Sequence, residues 1–109
     1  MTTTYVPSDW TRALHELTLR NAGRTVALDR PDTSNDLPES PRFALQAASY
    51  DRTEGHIEIT LRLPEGKAPP YRLTIEKVND VDVVAAANGR TLALRMSHQG
   101  GRTVLRFLN

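Results

Sequence analysis

The chain has 109 residues, 39% of them hydrophobic and 25% charged, with a net charge of +1. That length and balance fit one soluble globular domain with a modest core, and argue against a disordered or fibrous protein. There is no cysteine, which excludes disulfides and thiolate metal sites, and no run of about 18 apolar residues suggests a membrane span. The opening MTTTYVPSDW lacks the basic and apolar regions of a signal peptide, and a chain without cysteine has the cytoplasm as its default expectation.

Ser8 stands where it can cap a helix, with Asp9 in the first turn, where a negative charge suits the helix dipole. Trp10, Ala13, Leu14 and Leu17 then recur at i, i+3, i+4 and i+7, one apolar stripe of an amphipathic helix. Gly23 supplies the left-handed residue that ends it. A helix is predicted over about residues 9–21, with Trp10 as the anchor to a core.

From there the period changes to two. Val26 and Leu28 alternate with polar neighbours. A loop with three prolines and four acids follows, from Asp29 to Arg42, and is expected to be mobile over about residues 30–42. Phe43, Leu45 and Ala47 alternate next. HIEITLRL is the clearest strand, with Ile57, Ile59, Leu61 and Leu63 facing one way. PEGKAPP reads as a second loop. Leu73 with Ile75, Val81 with Val83 and Ala85, Leu92 with Leu94 and Met96, and Leu105 with Phe107 mark the remaining strands.

Asn88-Gly89 is a strong signal for a two-residue type I′ hairpin turn. It would pair Ala87 with Arg90, Ala85 with Leu92, Val83 with Leu94, and Val81 with Met96, with Asp82 opposite Arg95 on the other face. For the next reversal, Gln99-Gly100 as the turn sets Leu94 against Leu105 and Leu92 against Phe107. The Gly100-Gly101 alternative would place Arg95 opposite Arg106. Like charges across a ladder repel, so the first register is expected unless an anion binds between those arginines.

The tripeptide Gly-Arg-Thr occurs three times, beginning at Gly23, Gly89 and Gly101. Each copy follows a reversal: a helix end once and a hairpin turn twice. Three positions after the glycine, Val26 and Leu92 are expected to face the core and Val104 to face outward. A repeated binding device would keep its geometry, so the motif reads as a way of starting strands.

Little else carries chemistry. His56 and Glu58 share a strand face with metal-ligand spacing, but no further ligand motif supports them. DTSND (Asp32–Asp36) resembles the start of a calcium loop and lacks its central glycine and closing glutamate. Nucleotide-binding fingerprints and nucleophile-elbow motifs are missing. From Asn88 onward there are four arginines and no acid. Arg90, Arg95, Arg102 and Arg106 are therefore the candidate contacts for an anion or for nucleic-acid phosphates. Against nucleic acid, that region has no exposed aromatic for base stacking.

Pro7 and Trp10 open the helix, Gly23 leads into Val26 and Leu28, a variable loop follows, Ile57 and Ile59 lie in a strand, and the chain ends in GRTVLRF (Gly101–Phe107). This order resembles an uncharacterised family of short bacterial proteins, one of the domain-of-unknown-function families. The resemblance implies a single α+β bacterial domain and carries no catalytic residues.

The expected architecture is one α+β domain over residues 1–109. An N-terminal helix packs on an antiparallel β-meander of about six or seven strands over about residues 43–108, either an open curved sheet or a partly closed barrel. A cystatin-like wrap and a small Sm-like barrel both satisfy the pattern. The leading functional expectation is a non-enzymatic protein-interaction module without cofactors, self-associating through an edge strand, because the terminal strand lacks prolines. The alternatives are nucleic-acid binding by the C-terminal arginines, and a small-ligand binder or enzyme in a concavity between helix and sheet.

Overall fold

A computed structural model describes residues 1–29, 42–63 and 69–108. Asp32–Asp36, most of the acidic loop and most of the second loop lie outside the described residues. The fold is α+β, one helix on an eight-stranded antiparallel sheet that does not close into a barrel. The strands are β1 (Thr2–Tyr5), β2 (Thr25–Asp29), β3 (Phe43–Asp51), β4 (His56–Arg62), β5 (Tyr71–Glu76), β6 (Val78–Ala85), β7 (Thr91–His98) and β8 (Gly101–Phe107). One strand more than expected is β1. Its TTTY sequence has no apolar alternation, and it pairs with β6 at the sheet margin.

Helix α1 spans Trp10–Asn21 and follows a single 3-10 turn at Pro7–Asp9. The expected Ser8 cap is not formed; neither helix start has a side-chain cap bond. Pro7 starts the turn instead, since its ring presets a helical φ and it has no N–H to satisfy. The Asp9 N–H reaches the Val6 oxygen at 2.8 Å, and Trp10 N–H donates to Pro7. Trp10, Ala13, Leu14 and Leu17 are buried as the stripe requires. The Trp10 indole donates to the Tyr5 oxygen at 3.0 Å and meets the Tyr50 ring edge-on at 5.1 Å. Gly23, at φ 90°, ends the helix.

The strand order β1-β6-β7-β8-β2-β3-β4-β5 departs from a simple meander. Two meanders, β2 to β5 and β6 to β8, join where β8 pairs with β2. The C-terminal strand is thus interior, and among the described residues the sheet margins belong to β1 and β5. A single residue, Lys77, links β5 to β6. One residue spans only about 3.5 Å, so the sheet must curl until β5 ends beside the start of β6. Lys77 makes that corner with φ 55°, the one positive-φ residue other than glycine among those described. Ile57, Ile59, Leu61, Leu73, Ile75, Val81, Leu94, Met96, Leu105 and, from the helix, Trp10, Leu14 and Leu17 share one buried cluster inside the curl.

Several registers agree with the sequence reading. Val83 faces Leu94, Val81 faces Met96, Asp82 faces Arg95, and Leu94 faces Leu105. His98 opposite Gly101 makes Gln99-Gly100 the turn, and Arg95 faces Val104 rather than Arg106. Three details differ. A bulge at Gln46 shifts the parity of β3, so Ala48 is buried in place of Ala47. Leu63 falls beyond β4 and is exposed.

The third difference is the Asn88-Gly89 turn. Asn88 keeps a negative φ, Gly89 alone is left-handed at 86°, and the Gly89 N–H donates to the Ala86 oxygen at 2.9 Å. This is a type I turn followed by a left-handed glycine, one residue longer than the two-residue loop. Asn88 holds it by accepting from the Arg90 N–H at 3.0 Å. The added residue makes Thr91, not Leu92, the partner of Ala85. Thr91 is consequently buried and Leu92 is 43% exposed, without the expected pairing to Phe107.

Candidate functional site: a basic cleft and a free sheet edge

The altered turn brings Thr91 under the end of helix α1, where a buried polar knot forms. The Asn21 amide donates to the Leu17 oxygen at 2.9 Å and to Thr91 Oγ1 at 3.1 Å. Asn21 Oδ1 in turn accepts from the Arg24 guanidinium at 2.7 Å, and the same Arg24 nitrogen donates to the Thr91 oxygen at 2.9 Å. Arg24 also lies over the Phe107 ring, 4.7 Å from its centre. The Gly23 N–H donates to the Leu45 oxygen at 2.7 Å, and the Leu45 N–H donates to the Arg24 oxygen at 3.0 Å. Helix end, β2, β3 and β7 are therefore tied at one place.

Above this knot opens a cleft of about 560 Å³. Arg20, Arg24 and Arg90 line it, with Asn21 and Thr91 at its floor and Gly23 and Gly89 on its rim. Its described lining contains no acid. Two of the three Gly-Arg-Thr copies thus meet across one opening. Each copy does start a strand, but their convergence depends on β7 and β2 both lying beside β8. Burial first, and then the nearby charge of Arg90, holds the Arg24 guanidinium below its ordinary value.

The four sequence-derived arginines divide between two places. Arg90 borders the cleft. Arg95, Arg102 and Arg106 lie on the sheet's outer face, since the alternate residues Met96, Thr103, Leu105 and Phe107 are buried. There Arg106 makes a forked contact with Asp29, with Nε at 2.6 Å, and Arg95 sits 3.5 Å from Asp82. Acids interleaved with these arginines give the outer face a mixed charge. Asn21 and Thr91 were not singled out from sequence. Asn21 falls at the predicted helix end, and Thr91 stands out only as the β-branched residue of a Gly-Arg-Thr copy.

His56 Nε2 stands 3.9 Å from Asp51 and 4.0 Å from Glu58. Among the described residues, no group of three or more His, Asp or Glu side chains is placed to hold a metal ion. Near the helix start, Trp10 and Leu14 belong to the buried core and Tyr50 packs against it. The cleft lies at the opposite end of the helix.

At the sheet margin, β5 pairs only with β4 among the described residues, which leave its other edge unpaired. Leu73 and Ile75 point to the core, while Arg72, Thr74 and Glu76 are exposed. Tyr71 stacks on Phe43 at 5.9 Å yet stays 43% exposed. No helix among the described residues is long and apolar enough to cross a membrane. Comparison with protein-family models, curated proteins and solved structures finds no match.

Proposed function

We propose that this chain is a small cytoplasmic protein-interaction module of bacterial type, and that it pairs with a second copy of itself through β5. The observation that carries this reading is the self-complementarity of that edge. When Arg72-Leu73-Thr74-Ile75-Glu76 is laid antiparallel on its own copy with Thr74 opposite Thr74, Arg72 falls opposite Glu76 twice. Leu73 then falls opposite Ile75, continuing the apolar inner face across the junction. Moving the centre by one residue, to Leu73 or Ile75, loses the charge match, since Thr74 then falls opposite Arg72 or Glu76, although apolar residues still meet at the centre. Pairing about a single residue also suits either hydrogen-bond phase of an edge strand. Exposed Leu63 and Tyr71 beside the edge add apolar surface for a partner to cover.

Nucleic-acid binding by the C-terminal arginines has less support, because Asp29 and Asp82 face two of them.

Sedimentation equilibrium tests the pairing. The wild-type chain is expected to dimerise. Arg72→Glu and Glu76→Arg each create two like-charge pairs across the two-fold axis. Each is expected to weaken association about tenfold or more, from roughly 0.2–1 kcal/mol lost or reversed per pair. The double variant Arg72→Glu/Glu76→Arg restores opposite pairs and should recover dimerisation. A wild-type monomer at every concentration, or a double variant weaker than both single ones, overturns the proposal.

A further inference from the structure

The basic cleft sits at the helix end and the starts of β2 and β7, with β3 and β4 between β2 and the β5 edge in the sheet order, and its chemistry is different. We propose that it binds the phosphate group of a small organic molecule, with Arg90 and Arg20 as the charged contacts and the Thr91 hydroxyl as a donor beneath them. Arg24 is committed to the floor, through Asn21, the Thr91 oxygen and the Phe107 ring. It supplies fixed positive charge, while the two exposed guanidiniums supply movable forks suited to phosphate oxygens.

Thr91 Oγ1 already accepts from Asn21, so its own hydrogen remains to donate into the opening. Arg20 and Arg90 alone set two positive charges on the described lining, which holds no acid, and the negative end of α1 offsets only about half a charge. A dianionic phosphate balances that excess better than one carboxylate. The cleft volume of about 560 Å³ falls within the roughly 300–1,000 Å³ typical of small-molecule sites. A bare phosphate would leave most of it empty, which points to an organic body.

The test is a titration of the full chain with phenyl phosphate at low ionic strength, read by amide NMR shifts. Saturable shifts are expected at Gly23, Arg24, Gly89, Arg90 and Thr91. Arg90→Ala should weaken binding about tenfold or more, the loss expected for a charge-assisted hydrogen bond. Arg90→Lys should fall between, having the charge without the fork. Arg102→Ala, on the outer face, should bind as wild type. Inorganic phosphate binding as tightly as phenyl phosphate would assign free phosphate as the ligand of the same site. Unsaturable shifts spread over all basic surfaces overturn the proposal. So does wild-type affinity in both Arg90→Ala and Arg20→Ala. Displacement of phenyl phosphate by a single-stranded RNA, with a salt dependence of several charges, would give the cleft to nucleic acid instead.

Discussion

Arginines occupy this molecule in two ways. On the outer face of the sheet, Arg95 meets Asp82 and Arg106 meets Asp29, each across or along a ladder that fixes both side chains. At the helix end, Arg20, Arg24 and Arg90 gather around one opening whose described lining has no acid. The first arrangement is self-contained, with charges cancelled where the sheet places them. The second keeps an excess of one sign, which folding alone does not reward. Where charge is cancelled the arginines serve the fold; at the cleft the exposed Arg20 and Arg90 are available to something outside it, while Arg24 is held in the knot.

The comparison breaks most sharply at Asn21. It is 3% exposed and joins the helix end to Thr91 and Arg24 through three hydrogen bonds. Asn21→Leu keeps the volume and removes the acceptor under a guanidinium. It should cost about 2–3 kcal/mol of stability in urea unfolding, since buried polar partners are left unmatched. It should also abolish phenyl phosphate binding although every arginine remains. A loss below that of the outer-face pairs would mean that the knot does not organise the cleft.

The outer face sharpens the other side. The Asp82 and Arg95 side chains are 20% and 32% exposed, whereas Asp29 and Arg106 are about half exposed. Arg95 Nε is also buried without a partner among the described residues. Asp82→Asn should therefore cost about 1–2 kcal/mol, as for a partly desolvated charge that loses its mate. Asp29→Asn should cost under about 1 kcal/mol and lose its effect in high salt. Equal losses in urea unfolding would show that burial does not set the difference.

Much of the fold is legible from the chain because its strands alternate cleanly. Ile57, Ile59 and Leu61 declare an inner face, and turn chemistry with charge placed Val83, Leu94 and Leu105 in one register. β1 left no trace, because threonines on both faces of a marginal strand have no alternation to detect. The position of β8 between β7 and β2 was also hidden: pairing between strands distant in sequence leaves no local mark. The cleft was illegible for the same reason. Its parts are a helix end, the start of β2 and the start of β7, and only the sheet order brings them together. The small misreading at Asn88-Gly89 mattered most. One added loop residue turned Thr91 inward, and without Thr91 the knot would lack its centre.

The smallest expected effect is the one whose sign separates the two classes of arginine. Removing Arg106 or Arg95 takes away a favourable pair and should destabilise. Removing Arg90 takes away a neighbour whose charge pushes the Arg24 guanidinium down. Arg90→Ala should therefore leave stability unchanged or raise it, by at most about 0.5 kcal/mol, because Arg90 is exposed and solvent screens it. Salt should erase even that gain. Phenyl phosphate should reverse the order, since a ligand that binds only the folded state stabilises it in proportion to the logarithm of its saturation ratio. Thermal unfolding curves of wild type and Arg90→Ala are thus expected to cross as phenyl phosphate rises, with the variant ahead without ligand and the wild type ahead with it. Curves that never cross, with Arg90→Ala less stable throughout, would place Arg90 among the arginines that serve the fold.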